Sequence, residues 1–356
     1  MCLRVMARFR SGASEHSGAG ASVRRLLHFV IQSLPWAYVA VIFAWLVIRA
    51  GVGDRSFFVA ILSYLGIWLF FPTLVFLPWA LLRDRKRTVL ALMVPSALFV
   101  WFYGPLLMPK PGLRSTSVAP VTIMTLNVRY LNTDVDALAE TLLGSGADIV
   151  SLQETTRYHQ TNLASQLALR YPYSDHQPDV GLAVHSRYPI ASAKLLPLEP
   201  WPAQSLVIEA GESTFHLINV HMARAGILSF VTTFDPTFIR AAVDGRQAQI
   251  LGIQEAMDET GLPVILACDC NMTDLSSGYG LLTSTLQDTY RQRGWGLGHT
   301  LLIPRGLEIP SSVNVAVQRI DYLFHSPEIA VTKAKVLTEE SGSDHLPTVA
   351  QFELNP

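Results

Sequence analysis

The segment PVILACDCN (residues 263–271) joins a short apolar run to polar residues that stand directly behind it. Residues 263–268 carry no charge, and a run of this kind is typical of a strand that is buried in a sheet. Asp269 and Asn271 follow at the point where that strand ends. The segment therefore predicts a strand over residues 263–269 that presents an acid and an amide at its end.

Comparable runs recur along the chain and alternate with segments of helical periodicity. We predict helices over residues 134–147, with Asp134 as the cap, over 158–170 and over 238–259. The further strands are predicted at residues 121–127, 148–154, 181–186, 205–210, 215–221, 319–324 and 348–354. This order predicts a mixed α/β domain of about 240 residues, which is large enough for a hydrophobic core.

The ends of these strands share one chemical character, because acids, amides and histidines gather there. The residues concerned are Asn127, Gln153, Glu154, His221, Asp269, Asn271, Asp321, Ser343, Asp344 and His345. A rigid sheet can present several short polar side chains at one point. Carboxylate and amide oxygens suit Mg²⁺ or Mn²⁺, and histidines suit proton transfer. The pattern predicts metal-assisted attack of water on a phosphate ester.

Seven motifs carry most of these residues in a fixed order. They are TLNVRY (125–130), SLQE (151–154), GLAVHSRYPI (181–190), NVH (219–221), CDCN (268–271), RIDYLF (319–324) and SDHLP (343–347). In order and spacing they resemble the endonuclease/exonuclease/phosphatase superfamily, which has the deoxyribonuclease-I-like fold. The resemblance covers residues 120–354. It implies an α/β fold with four layers, an αββα sandwich with two central sheets, and divalent-metal phosphoesterase chemistry.

The resemblance also implies which residues hold the metal, taken as Mg²⁺ or Mn²⁺. Glu154 resembles the principal metal ligand of the family. Asn127 would lie beside it, and Asp344 would lie near the metal.

Five further residues receive catalytic roles from the same resemblance. Asp269 would orient or deprotonate the attacking water, and Asn271 would hold that water or the phosphate. His345 would contact the scissile phosphate, with Asp321 holding its imidazole. His221 resembles the second family histidine, near the leaving group.

Some positions depart from the family pattern. Cys268 and Cys270 replace the commoner glycine and phenylalanine, and we expect only changes in packing. A disulfide between residues two apart in an extended segment is geometrically poor, so we expect none. His185 is either a substrate contact or, as we favour, a core or surface histidine. Arg246 and Gln249 match a polar pair of the family, but a solvated helix face explains them equally well.

The front of the chain has a different composition. Three stretches, residues 30–48, 56–82 and 89–108, contain no charged residue, and about 20 apolar residues span a bilayer core. Five of the seven tryptophans lie in these stretches, several of them near the ends, as interfacial anchors do. We predict three transmembrane helices in an anchor of residues 26–108, and disfavour a buried helical hairpin of a soluble core. Residues 1–25 would be a cytoplasmic tail with a disordered polar part (10–22), and residues 109–120 a linker to the domain of residues 121–356.

Basic residues predict the orientation of this anchor. Five arginines precede the first span, and Arg83, Arg85, Lys86 and Arg87 lie between the second and third. Because loops rich in Lys and Arg stay in the cytoplasm, three spans place the C-terminal domain outside. We therefore predict a multi-pass protein of the cell (inner) membrane with an extracytoplasmic catalytic domain.

Charge also bears on the substrate. Residues 1–114 contain 13 Lys/Arg and 3 Asp/Glu, a net +10, whereas residues 115–356 contain 14 and 25, a net −11. An acidic domain opposes nucleic-acid binding, which depends on Lys and Arg contacts to phosphates. The apolar segment 222–240 suits an acyl chain or the bilayer surface, or else packs on the rest of the protein. We favour a lipid or other small phosphoester, with a Mg²⁺-dependent nuclease and a degenerate binding module held at the membrane as alternatives.

Overall fold

The computed structural model of the chain describes residues 13–110, 120–225, 232–302, 315–338 and 341–354. Its N-terminal part consists of helices α1 (Ala13–Val52), α2 (Phe57–Tyr64), α3 (Phe71–Leu82) and α4 (Lys86–Leu107), with 3₁₀ turns at Gly53–Arg55 and Gly66–Phe70. In this described part, two helices are long and apolar enough to cross a membrane, and a third crossing results if residues 57–64 and 66–82 form one broken span. Because α1 begins well before the anchor predicted at residues 26–108, the name anchor stands from here on for residues 13–110.

Two expectations for the anchor are wrong in detail. The charge-free stretch 56–82 is not one helix, because the chain bends by 100° between α2 and the segment that follows it. Gly66 adopts a left-handed φ of +58° at this bend, a conformation that costs glycine little. The polar tail is helical from Ala13 onward, whereas residues 1–12 and most of the expected linker (111–119) lie outside the described residues.

The C-terminal part contains two six-stranded sheets. The first sheet has the order β13-β14-β1-β2-β4-β3, with β1 (Val121–Asn127), β2 (Ile149–Gln153), β3 (Tyr173–Gln177), β4 (Leu182–Ser186), β13 (Ala330–Val336) and β14 (Thr348–Glu353). The second has the order β5-β6-β7-β8-β12-β9, with β5 (Ile190–Leu196), β6 (Ala203–Ala210), β7 (Ser213–His221), β8 (Val264–Asp269), β9 (Gln287–Asp288) and β12 (Asp321–His325). A short ribbon pairs β10 (Leu301–Leu302) with β11 (Ala316–Gln318).

Helices cover the outer faces of both sheets, which gives the four layers of an αββα sandwich. Helices α5 (Val135–Gly144) and α6 (Arg157–Leu167) pack on the first sheet, and α7 (Thr237–Thr260) with α8 (Ser277–Leu282) packs on the second. Helix α9 (Thr289–Arg293) follows β9. The inner sheet faces meet in a core that includes Ile123, Phe215 and Leu323, and this core continues into the anchor through Tyr103. The predicted fold class is confirmed.

Strands that the sequence left unassigned lie mostly at sheet edges. β3 and β5 are edge strands, and most of their residues are at least partly exposed. A strand without a buried face lacks the apolar run that marks an interior strand, so its sequence carries little signal.

Strand register brings the polar strand ends together. In the second sheet β8 lies between β7 and β12, and Asp269 pairs in register with both His221 and Asp321. In the first sheet β1 and β2 run parallel, with Asn127 opposite Gln153. The two sheets therefore present these residues at the same end of the sandwich.

A buried ionic cluster fixes the segment that leads into β12. The Arg319 side chain is 5% exposed, and its guanidinium lies 2.7 Å from Asp288 and 3.2 Å from Asp274. Arg291 contacts Asp274 at 3.1 Å from the other side. Burial by itself would raise the pKa of Asp288, but Arg319 and Arg291 outweigh burial and lower that pKa.

We expect Arg319→Met to destabilise the protein strongly, because it leaves two buried carboxylates short of a counter-charge. The loss is about 3–5 kcal/mol for breaking a buried pair. The midpoint of thermal unfolding of the full chain in detergent measures it. As a matched control, Arg157→Met removes an ion pair with Asp179 whose side chains are 77% and 81% exposed, and costs at most about 1 kcal/mol. Equal midpoints for the two variants would contradict the structural role of Arg319.

Candidate active site

A hydrogen bond between the two sheets lies at the centre of the polar cluster. Asn127, at the end of β1, donates from Nδ2 to Asp269 Oδ2 at 2.8 Å, and Asp269 ends β8. The other oxygen of Asp269 accepts from the backbone N–H of Asn271 at 3.1 Å. Asp269 is 1% exposed. Its carboxylate is therefore held in one orientation by donors from both sides.

Glu154 directly follows β2, the strand that pairs with β1 and its terminal Asn127. Its backbone is left-handed, with φ +56°, and Arg129 and Asn271 share this conformation at +63° and +49°. Non-glycine residues adopt it at a cost, and such residues concentrate at functional sites. One carboxylate oxygen of Glu154 accepts from the backbone N–H of Tyr130 at 3.1 Å. The other oxygen lies 3.9 Å from His221 Nε2. The carboxylates of Glu154 and Asp269 therefore both face the imidazole of His221.

His345 and Asp321 form a buried pair. His345 Nδ1 lies 2.9 Å from Asp321 Oδ2 and 3.1 Å from Oδ1. Burial alone would lower the pKa of His345, but the carboxylates of Asp321 and Asp269 outweigh it and raise the pKa to about 10. The imidazole is therefore protonated at neutral pH and carries positive charge beside Asp269.

His221 lies between the carboxylate of Glu154 and that of Asp269. Its Nε2 lies 3.5 Å from Asp269 Oδ2, and this buried nitrogen has no hydrogen-bond partner among the described residues. The ring of Trp201 lies against it, with centroids 5.5 Å apart, and Trp201 is 42% exposed. Sequence reasoning missed Trp201, since a tryptophan in an unassigned loop carries no motif.

Arg246 and Gln249, the two residues of α7 that match a polar pair of the family, are buried beside the cluster. The interpretation of these residues as a solvated helix face is therefore wrong. Arg246 is 6% exposed and donates to the backbone oxygens of Ala223 and Asn271 at 2.8 and 3.2 Å. Gln249 is fully buried and accepts from the backbone N–H of Ala223 at 2.9 Å. Asn271 in turn donates from Nδ2 to the backbone oxygen of Met222 at 3.0 Å. These bonds lock the chain after β7 to the chain after β8.

The expectation against a disulfide is wrong, since Cys268 and Cys270 are bonded. Their Cα atoms lie 5.1 Å apart, within the range that disulfides require. Two such positions in a regular strand stand about 6.6 Å apart. Strand β8 ends at Asp269, between the two cysteines, so the backbone is no longer fully extended there. The two cysteines are therefore close enough to bond.

Two other polar residues of the motifs have structural roles. Gln153, fully buried, donates to Asn219 Oδ1 at 2.7 Å and so connects the two sheets beneath the cluster. His185 is 3% exposed and packs against His176, and burial lowers its pKa to about 3. It is a core histidine, as favoured from the sequence.

The donor set suits a hard cation. Asp269, Asp321 and His345 are buried and offer ligand atoms within 4.8 Å of one another. Within that group His345 Nδ1 and both oxygens of Asp321 are engaged with each other, which leaves the Asp269 carboxylate as the better ligand. Glu154 adds a partly exposed carboxylate, and the unpartnered Nε2 of His221 lies beside it. Asp344 is half-buried, next to His345 in the chain.

The fold and the cluster together define a class of protein, the αββα hydrolases of phosphoesters. A profile described as the Endonuclease/Exonuclease/phosphatase family matches residues 124–345, and the chain belongs to this family. No curated protein sequence matches the chain.

Solved structures share this fold. An endonuclease/exonuclease/phosphatase family protein from Bacteroides thetaiotaomicron is 20% identical, with a TM-score of 0.53 over 68% of this chain and 97% of that one. A mannosyl-6-phosphatase from the same species is 20% identical (TM-score 0.51; 65% and 99%). D. rerio TDP2, complexed with single-strand DNA product, is 16% identical (TM-score 0.52; 66% and 99%). These likenesses confirm the fold.

We expect Asp321 and His345 to act as one unit in phosphoester hydrolysis. His345→Ala lowers kcat for a soluble phosphodiester roughly 10²–10⁴-fold. Asp321→Asn also lowers kcat, and the double variant is no slower than His345→Ala, since groups that act as a unit are not additive. His216→Ala is the control, because that buried histidine bonds Ser205 at the opposite end of β7. Multiplicative losses in the double variant would show that the two residues act independently.

Proposed function

We propose that the chain is a membrane-anchored, divalent-metal-dependent phosphoesterase that hydrolyses a phosphodiester, with a lipid or other small phosphoester as the favoured substrate. The observation that carries this proposal is the Asn127–Asp269 hydrogen bond. It places the carboxylate of Asp269 between His221 on one side and the His345–Asp321 pair on the other. A carboxylate beside a histidine that is paired with an acid, together with a second histidine, suits proton transfer and charge stabilisation in the hydrolysis of a phosphate ester.

Each residue has a defined task in this proposal. Asp269, held by Asn127 and by the N–H of Asn271, orients the attacking water and accepts its proton. The imidazolium of His345, held by Asp321, contacts the negative phosphate. Asn271 Oδ1 remains available to the water, since the amide nitrogen is bonded to Met222. His221 lies on the leaving-group side, with Trp201 against its ring.

Glu154, with Asn127 and Asp344, would hold Mg²⁺ or Mn²⁺. Oxygen ligands are what these ions prefer, and the Glu154 carboxylate is 15% exposed beside the unpartnered nitrogen of His221. A divalent ion bound there supplies positive charge that stabilises the developing charge on the phosphate.

The surroundings of the site favour an apolar substrate. Exposed apolar side chains occur on the segments that carry the site residues. They are Tyr130 and Leu131 after β1, Trp201 beside His221, and Phe234 after β7, with exposed fractions of 58%, 62%, 42% and 78%. Two described residues of the apolar segment 222–240, Ala225 and Ile239, instead pack on α2 of the anchor, as the alternative expectation for this segment had it. Residues 227, 228, 230 and 231 of that segment lie outside the described residues.

The contacts of α1 and α4 with the domain support the proposed orientation, because they come from the C-terminal ends of these two helices. Asp54 follows α1 and bonds Ser277, and Leu106 near the end of α4 accepts from the N–H of Gly296 at 2.8 Å. The basic turn at residues 83–86 joins the opposite ends of α3 and α4. A basic turn in the cytoplasm therefore places the hydrolase domain outside the cell membrane.

The enzyme proposal is tested on the full chain in detergent with bis-p-nitrophenyl phosphate and Mg²⁺. We expect turnover that EDTA abolishes and that Mg²⁺ or Mn²⁺ restores. Asp269→Ala lowers kcat roughly 10²–10⁴-fold, as loss of a general base does. Wild-type turnover no higher than that of Asp269→Ala would favour a degenerate binding module.

The substrate proposal is tested by comparing phospholipid vesicles, single-stranded DNA and RNA under the same conditions. We expect hydrolysis of the vesicles and little action on the nucleic acids, because residues 115–356 carry a net −11. Rapid cleavage of DNA or RNA with inert vesicles would instead identify a nuclease.

We expect protease added to intact cells, with the outer membrane permeabilised where there is one, to degrade residues 120–356. A tag at the N-terminus should stay protected until the cell membrane is lysed. Protection of the C-terminal domain would reverse the proposed orientation.

A further inference from the structure

Two segments beside the catalytic cluster are held by the anchor. The first is the β8 loop (residues 270–276), which begins directly after Asp269 and contains Asn271. The second is the β12 lead-in (residues 316–320), which ends directly before Asp321. Together they contain Asn271 and adjoin Asp269 and Asp321, three residues to which we assign catalytic tasks.

The anchor contacts the β8 loop at Thr273 and Asp274, and it also contacts Ser277, the residue that follows the loop. Thr273 donates from Oγ1 to the backbone oxygen of Ser63 at 2.6 Å, and Thr273 is 2% exposed. Tyr103 of α4 donates from its hydroxyl to Asp274 Oδ1 at 3.0 Å. Asp54 accepts from the N–H of Ser277 at 2.7 Å, and its own N–H donates to the Ser277 hydroxyl at 3.1 Å.

The bend between α2 and α3 lies against both segments. Trp68 donates from Nε1 to the backbone oxygen of Val317 at 2.7 Å, and the Gln318 amide donates to the backbone oxygen of Tyr64. At Gly66 an added Cβ would stand 3.3 Å from Thr273 Cγ2. The bend of the anchor thus approaches the β8 loop closely.

The domain itself holds the β8 loop from the inner side. Tyr322 donates to the backbone oxygen of Met272 at 3.1 Å, and Arg246 donates to that of Asn271. The Thr273 hydroxyl, by contrast, bonds the anchor. The carboxylate of Asp274 is shared between Tyr103 of the anchor and the arginines 291 and 319 of the domain. The β8 loop is therefore held by hydrogen bonds from the domain on one side and from the anchor on the other. We call this two-sided attachment the clamp.

We propose that the anchor is part of the catalytic apparatus, with Tyr103 and the bend around Ser63 and Gly66 as positioning elements for Asp269, Asn271 and Asp321. This inference rests on the proposed hydrolase function. Release of the clamp would let the β8 loop move relative to β12. A shift of about 1 Å can cost 10²-fold in rate, because the reacting groups then miss their alignment.

The test uses the full chain in detergent with Mg²⁺ and bis-p-nitrophenyl phosphate, a soluble substrate that needs no bilayer. Tyr103→Phe and Thr273→Val each remove one hydroxyl that joins anchor and loop. We expect each to lower kcat roughly 10- to 100-fold with little change in KM. Thr273→Ser keeps the hydroxyl and should restore kcat to near the wild-type value.

Tyr38→Phe is the matched control. Tyr38 also lies in the anchor, but its hydroxyl bonds Thr73 and the backbone oxygen of Leu69, both within the anchor. We expect it to leave kcat unchanged. A kcat for Tyr103→Phe and Thr273→Val equal to that of Tyr38→Phe would overturn the inference, and so would failure of Thr273→Ser to restore the rate.

Amide hydrogen exchange separates this inference from the hydrolase proposal. We expect faster exchange at residues 270–276 in Tyr103→Phe and Thr273→Val than in Tyr38→Phe. If the wild-type chain hydrolyses nothing, the hydrolase proposal fails, and the exchange rates still decide whether the anchor clamps the loop. Unchanged exchange in the two variants would overturn the clamp itself.

Discussion

The ion pairs of Arg319 are the interaction on which most of the described structure depends. The guanidinium is almost fully buried, and it contacts Asp288 at the end of β9 and Asp274 behind β8. Charges withdrawn from water are stable only when they are paired, so three segments distant in sequence have to meet at this point. Asp274 also accepts from Tyr103 of the anchor. The same cluster thus orders the lead-in to β12, the loop after β8 and one contact with helix α4.

The catalytic cluster depends on the packing of the two sheets, because its residues come from strands of both. Asn127 belongs to the first sheet, whereas Asp269 and Asp321 belong to the second, and only sheet-on-sheet packing brings Asn127 within hydrogen-bond distance of Asp269. Parallel pairing of β7 with β8 then sets His221 opposite Asp269. The site side chains themselves are mostly short, so the precision of the site comes from backbone register. Buried neighbours such as Arg246 add hydrogen bonds that hold the backbone in place.

Sequence patterns predicted the interior strands and the polar strand ends, because buried strands leave apolar runs and sites leave polar residues at fixed points. The four layers came from the family resemblance. The patterns failed where no such signal exists. Edge strands such as β3 are partly exposed and read as loops. Arg246 and Gln249 stand on a helix, where a buried polar residue and a solvated one look alike in sequence. The bond between Cys268 and Cys270 depends on a local bend at the strand end, which spacing alone does not reveal.

The sequence by itself determined the division into a basic, apolar front and an acidic α/β domain, since hydropathy and charge are local properties of the chain. It also determined the set of polar residues that end the strands, and through their order the family. Only the tertiary structure decided that the chain bends by 100° after α2 and that α2 lies against the domain. It also decided that Trp201 stands beside His221 and that Tyr103 bonds Asp274. Contacts between the anchor and the domain join residues up to 254 positions apart, as Tyr64 and Gln318 are. Packing in three dimensions chooses these partners, and no local pattern in the sequence records it.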